Sequence, residues 1–161
     1  MSDYPLPGFR FKVEFFVATE NASNLGSSKP ICSGAFAECS GLEASMETRA
    51  IRVGGSNFGE IQRAGRVSFG TVILKRGVST TRDLWKWFEL VGTGAYAYRL
   101  DAMISLLDFG DSEGWSTNHS WYMLNALPNK FKAADFVATS NEVGVEELHF
   151  VHEGMYHLYY D

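Results

Sequence analysis

The stretch Phe9-Arg10-Phe11-Lys12-Val13-Glu14-Phe15-Phe16-Val17 decides the fold class. Apolar residues hold every odd position, while Arg10, Lys12 and Glu14 alternate with them. That period of two describes a strand with one buried face. Reading outward, Asn21 to Pro30 is turn chemistry and predicts an exposed loop. Ile31 to Leu42 is extended again. Glu43 to Val53 alternates loosely until Gly54-Gly55-Ser56-Asn57-Phe58-Gly59 interrupts, and Val67, Phe69, Thr71 and Ile73 resume the alternation up to Lys75-Arg76-Gly77.

One helix stands out against these strands. Leu84, Trp87, Phe88 and Val91 fall at i, i+3, i+4 and i+7, a single apolar stripe, which predicts a helix over about 80–91. Thr80 is placed to cap it, Asp83 suits its first turn, and Gly92 suits the position just past its end. Trp85 points off the stripe and reads either as a local packing contact or as a subunit contact.

Three strands follow. Leu100, Ala102, Ile104 and Leu106 share one face; Trp121 to Leu127 forms the next, ended by a turn at Pro128-Asn129-Lys130. Val143 to Val151 forms the last, where apolar positions slip from odd (Val143, Val145) to even (Leu148, Phe150). The slip predicts a bulge near Glu146-Glu147. With no repeat and no linker, the chain reads as one domain over 1–161. The fold class is mainly β (α+β), an antiparallel sandwich or barrel with one flanking α-helix.

Composition sets the bounds. The 161 residues are 45% hydrophobic and 20% charged, enough apolar surface for a core and too much for a disordered chain. Nineteen acidic residues against 14 basic ones give a formal charge of −5, the wrong sign for gripping phosphate backbones. No apolar run reaches the roughly 18 residues of a membrane helix, so membrane insertion by this subunit is not expected. The start, Met1 to Pro7, lacks the regions of a secretory signal, and the sequons at Asn21 and Asn118 have no secretory route to support them. Cys32 and Cys39 lie seven apart in extended chain, about 23 Å, beyond disulfide reach; they read as reduced thiols.

The sequence offers no catalytic signature. There is no Gly-Lys-Ser/Thr, and Gly92-Thr93-Gly94-Ala95-Tyr96-Ala97 imitates a dinucleotide fingerprint but follows a helix instead of a strand. His149 and His152, three apart on a strand, face opposite ways and cannot share one metal ion; Glu146 and Glu147 diverge likewise. The expectation is a non-enzymatic domain with no cofactor and no metal.

An ordered set of motifs then carries a family resemblance. Phe36-Ala37-Glu38-Cys39-Ser40-Gly41-Leu42-Glu43 is followed by Gly54-Gly55-Ser56-Asn57 and by Leu74-Lys75-Arg76-Gly77-Val78 with Leu84-Trp85-Lys86-Trp87. Trp121 through Lys130, Asn141 through Leu148 and His152-Glu153-Gly154-Met155 complete it. From Phe9 to Met155 the set resembles the inner tail-tube proteins of contractile phage tails and extracellular contractile injection systems. The chain departs from the family's Leu-Pro-Gly at Arg63-Ala64-Gly65 and in a longer Asp111–His119 segment, which leaves the paralogue open.

The resemblance implies an assembly. Such proteins form homo-hexameric rings stacked into a hollow tube, inside a sheath and on a baseplate, around lumenal protein or DNA cargo. It implies a virion tail or injection particle put together in the bacterial cytoplasm. The main alternative is a tube-initiating or terminating ring at the baseplate or tail end; a small β-barrel ligand-binding domain is the other. A long loop over about 44–65, with Gly54, Gly55 and Asn57 near its tip, is implied to reach the next ring. Glu38, Ser40, Leu42 and Glu43, with Asn141, Val143, Val145 and Glu147, are the residues expected to border the ring interface or lumen. Lys75 and Arg76 either pair with carboxylates of a neighbouring ring or end a strand in water. The acidic balance suggests a lumen that does not retain DNA.

Overall fold

The computed structural model describes residues 10–18, 32–34, 36–110 and 114–159. The expected strand start at Phe9, the loop at Asn21–Pro30 and Ile31 lie outside the described residues. The elements run β1 (Phe11–Val17), β2 (Cys32–Gly34), β3 (Glu38–Ser40), β4 (Ala44–Ile51), β5 (Ile61–Phe69) and β6 (Val72–Gly77). Then come α1 (Asp83–Gly92), β7 (Leu100–Gly110), β8 (Gly114–Lys132), β9 (Val145–Val151) and β10 (Gly154–Tyr159).

Among the described residues every strand pairing is antiparallel. One sheet runs β2-β1-β7-β8-β9-β6-β3, with β10 also on β8, and a separate two-stranded sheet is made by β4 and β5. The two ends of the large sheet, β2 and β3, are joined by residues 35–37 alone. Extended chain of that length reaches only about 13 Å, so the sheet must curl until Gly34 and Glu38 lie within that distance, although β2 and β3 do not pair. This is the barrel-like architecture the strand pattern implied. Inside it, Val13 and Phe15 of β1 face Leu148 and Phe150 of β9, and the Phe15 and Phe150 rings meet edge-on at 5.6 Å. Leu84, Trp87 and Val91 of α1 close one side of the core, Trp87 lying 5.0 Å from the Phe15 ring.

Several expectations are corrected. The helix starts at Asp83 with Arg82 at the cap position and no side-chain cap; Thr80 does not cap it. Gly92 is its last residue, and the Thr93 N–H donates to the Glu89 carbonyl beyond it. The 44–65 segment is not a loop but most of a hairpin. Its strands bury almost nothing, so no clean apolar face marks them in the sequence. The alternation from Val67 to Ile73 does not belong to one strand. Gly70 breaks it, its N–H bonding the Glu43 carbonyl, and β6 turns its even residues Val72, Leu74 and Arg76 inward.

Pro128 ends nothing. β8 runs 19 residues through it, the ladder slipping by one residue between Pro128 and Lys130, where the bulge excuses the missing N–H. The expected bulge at Glu146-Glu147 is absent, because β9 stays in register with β6 from Val145 to Phe150. The apparent change of phase arises because an inward position, 146, holds a carboxylate that answers the inward guanidinium of Arg76. A second buried polar knot, unmarked in the sequence, sits at the β7 bulge: Asp101 accepts from the Tyr122 hydroxyl (2.6 Å) and the Asn125 N–H (3.0 Å). Burial, then this bond to Asp101, pushes the Tyr122 phenol well above its ordinary pKa.

Candidate assembly surfaces

Two surfaces are left unfinished by the fold. The first is the pair of margins of the four-stranded portion β3-β6-β9-β8. Its strands register Glu38 with Lys75, Lys75 with Glu147, and Glu147 with Lys132. Among the described residues nothing pairs with the outer side of β3, nor with β8 on the side away from β9 over residues 127–132. Such rows of unpaired backbone groups invite another strand.

On the outward face of this sheet Lys75 Nζ donates to both oxygens of Glu38 at 3.0 and 3.1 Å. The Glu147 carboxylate meets the His149 ring, which, with Lys75 and Lys130 nearby, holds its pKa below the usual carboxylate range. On the inward side, Cys39 carries a free thiol whose pKa burial raises to about 12, so it is inert. The side chain of Cys32 lies outside the described residues.

The second surface is the hairpin β4–β5, reaching about 26 Å along β4 alone. Ala44 registers with Phe69, Met46 with Val67, and Ile51 with Ile61. Its turn residues run from Arg52, which pairs with Glu60 at 2.9 Å, around Gly55 and Gly59, both at positive φ. Met46, Ile51, Val53, Ile61 and Val67 are exposed, and Phe58 at the tip is fully exposed. The hairpin holds Arg49, Arg52, Arg63 and Arg66 against Glu47 and Glu60, a basic arm on an acidic chain. Arg49 stands directly opposite Arg63, a like-charge pair that destabilises a hairpin standing alone.

The residues singled out from sequence therefore divide. Glu38, Ser40, Lys75 and Glu147 fall together on the four-stranded sheet; Gly54, Gly55 and Asn57 lie at the hairpin tip. Leu42 packs partly on the core and Glu43 is exposed at the foot of the hairpin, while Asn141 and Val143 are exposed in the loop before β9. Trp85 is exposed and rests on Phe131 of β8 at 5.4 Å, beside the open margin.

One expectation fails here. Arg76 is 4% exposed and donates to Glu146 and Asp83 of its own chain, so it is an internal strut, not a contact to another ring. Burial opposes its charge, but the bonds to Asp83 and Glu146 outweigh that and raise its pKa. Val145 lies on β9, which is flanked by β6 and β8, so it belongs to a central strand, with its side chain exposed. Sequence reasoning missed Lys130, Lys132 and the opposed arginines, since only strand register brings them into relation. Among the described residues no group of three or more His, Cys, Asp or Glu converges on a metal-sized site, and no helix is long and apolar enough to cross a membrane.

Residues 7–156 match the family described as T4-like virus tail tube protein gp19. The chain belongs to this tail tube family. The cryo-EM structure of the anti-feeding prophage baseplate contains a chain 27% identical to this tail tube protein, with a TM-score of 0.78, covering 98% of this chain and 97% of the other. The sheath-tube complex of the extracellular contractile injection system PVC contains another, at 24% identity and TM-score 0.74 over 98% and 94% of the two chains. A third lies in the tube-terminating cap of the anti-feeding prophage, at 24% identity and TM-score 0.75 over 99% and 95%. No individually curated protein matches the sequence. The protein is a structural component of phage-tail-like contractile particles, and its mostly antiparallel β fold is the tube fold.

Proposed function

We propose that copies of this tail tube protein close into hexameric rings through the open margins of the β3-β6-β9-β8 sheet. The rings stack, through the β4–β5 hairpins, into the hollow inner tube within a sheath. The protein acts by shape and not by chemistry. The observation that carries this reading is a sheet open on both sides whose end strands run in opposite directions. An antiparallel sheet of four strands presents one strand of each direction at its margins, so a second copy rotated about an axis continues the antiparallel order without a break. The hairpin supports stacking: it contributes little to its own domain's core, exposes apolar residues at its tip, and holds two opposed arginines that carboxylates of an acidic neighbour would satisfy.

The outward face of the proposed ring sheet carries Glu38 and Glu147 against Lys75, Lys130 and Lys132. If that face lines the lumen, the acidic excess of the chain sits elsewhere and the conduit wall is close to balanced. A second reading, a single terminating or initiating ring, is favoured by the likeness to chains in a baseplate and in a cap. Negative-stain microscopy of the purified protein separates the two. Long tubes support the tube reading, isolated rings the terminal one, and monomers at high concentration contradict both.

A further inference from the structure

The register of four strands sets up a row of charges that is complete in itself only if the next copy continues it. Across the outward face, partners in register run Glu38 (β3), Lys75 (β6), Glu147 (β9), Lys132 (β8): negative, positive, negative, positive. The row ends at both open margins. Glu38, at one end, is half exposed although it holds Lys75. Lys132, at the other, is exposed and forms no ion pair with any described residue of its own chain.

We propose that ring closure docks β3 of one copy on residues 130–132 of β8 of the next, so that Lys132 meets the neighbour's Glu38. The inference rests on the tube reading above and adds the register of its subunit contact. Three constraints select it. Direction is the first: β3 and β8 are antiparallel to one another across the intervening strands, as continuation requires.

Pleat is the second. Cys39 and Phe131 both point to the core side, since each is the register partner of a buried leucine, Leu74 or Leu148. Side chains alternate faces along a strand, so Glu38 and Ser40 must meet Lys132 and Lys130, never Phe131. Charge together with overlap is the third. A slip of two residues is the smallest one the pleat allows, and slipping so as to put Glu38 opposite Lys130 still sets it against a lysine. The alternate slip loses the contact altogether. With the stated register all three β3 residues are matched: Glu38 with Lys132, Cys39 with Phe131, Ser40 with Lys130. Trp85, exposed over Phe131, then covers the neighbour's Cys39 side of the junction.

In the closed ring the row becomes an unbroken belt of alternating charge in which each carboxylate has a lysine on both sides. Opposite charges in cross-strand register stabilise pairing, whereas like charges directly opposite disfavour it. The belt therefore favours this partner surface, in the way complementary charges fix which surfaces meet, while full overlap of the three β3 residues sets the register.

The test is a disulfide across the junction. A Glu38→Cys, Lys132→Cys variant is assembled, oxidised and run on a non-reducing denaturing gel, with each single substitution as control. The expected result is a ladder of covalent species rising to six chains, absent from both controls. Particles of ordinary appearance that yield only monomer on the gel overturn the inference while leaving the tube reading intact. A wild-type protein that makes neither rings nor tubes overturns the tube reading instead. Should the double variant fail to fold, Lys132→Glu reads the same contact. It places a carboxylate opposite the neighbour's Glu38 and also opposite Glu147 of its own chain, and is expected to raise the concentration needed for ring formation by about tenfold with only a small fall in the monomer's melting temperature. An unchanged assembly threshold overturns the inference.

Discussion

Arg76 and Glu146 are register partners on neighbouring strands, and their charged groups meet on the inner side of the sheet, where a core would ordinarily place two apolar side chains. Asp83, the first residue of the helix, completes the group, and the Phe36 ring lies 5.7 Å from the guanidinium carbon. One side chain thus ties β6, β9 and α1 together. Arg76→Ala leaves two carboxylates without their cation in a largely dry site, a loss of about 3–5 kcal/mol, or on the order of 10 °C in melting temperature for a domain of this size. Arg76→Met with Glu146→Leu is expected to recover much of it, since apolar side chains of similar volume often replace a buried pair without loss. Thermal unfolding of the two variants checks both statements; an Arg76→Ala protein that melts like wild type refutes the strut.

Trp87 fills the space between the helix and the Phe15 and Phe150 rings, and its buried indole N–H donates to no described residue. Trp87→Ala is expected to cost about 3–5 kcal/mol from lost burial and the cavity left behind. Trp87→Phe loses no hydrogen bond and is expected to cost clearly less. Denaturant midpoints of the two variants decide; equal losses would contradict the packing account.

His152 is buried against the Phe69 ring, with Nδ1 on the Gly154 carbonyl and Nε2 unpaired among the described residues. Burial holds its pKa below the ordinary 6.5, the backbone bond opposing this only in part. The unfolded chain therefore binds more protons just below that value, and the contribution, fully present above it, is lost as pH falls through the folded pKa. Melting temperature is expected to drop between about pH 7 and pH 5, and to drop less in His152→Phe. His157, lowered by burial and by His119, acts in the same direction, so a residual slope remains. An identical slope in the variant would remove His152 from the explanation.

The hairpin carries its side chains outside the core, so its loss should separate folding from stacking. Replacing Thr48–Ala64, whose ends are register partners, by a short turn is expected to change monomer stability by no more than about 0.5 kcal/mol. The same change is expected to stop ring stacking. Tubes of ordinary length from the truncated protein would contradict the assigned role.

How much of this was legible in the sequence depends on whether a residue's environment is set nearby in the chain. β1, β7 and the helix were readable because Val13, Phe15, Ala102, Ile104, Leu84 and Trp87 all turn to one core with the period of their own element. The hairpin was not, because strands exposed on both faces write no apolar stripe, and Gly54-Gly55 at its tip reads as loop. The phase of β9 was misread because Glu146 answers Arg76, seventy positions away. Pro128 reads as a stop until the ladder's slip beside it is known. For the assembly surfaces, the sequence marked Glu38, Lys75 and Glu147 through the resemblance; that they form a row ending at Lys132 exists only in the pairing of four strands.

The central claim is that the free margins of one subunit's sheet are finished by another copy of the same subunit. A cryo-EM reconstruction of the purified, assembled protein tests this most directly. The account predicts six-fold rings in which the strand holding Glu38 lies hydrogen-bonded beside the Pro128–Lys132 stretch of the adjacent subunit. Rings in which both of those strands face solvent, or are capped by their own chain, would contradict it.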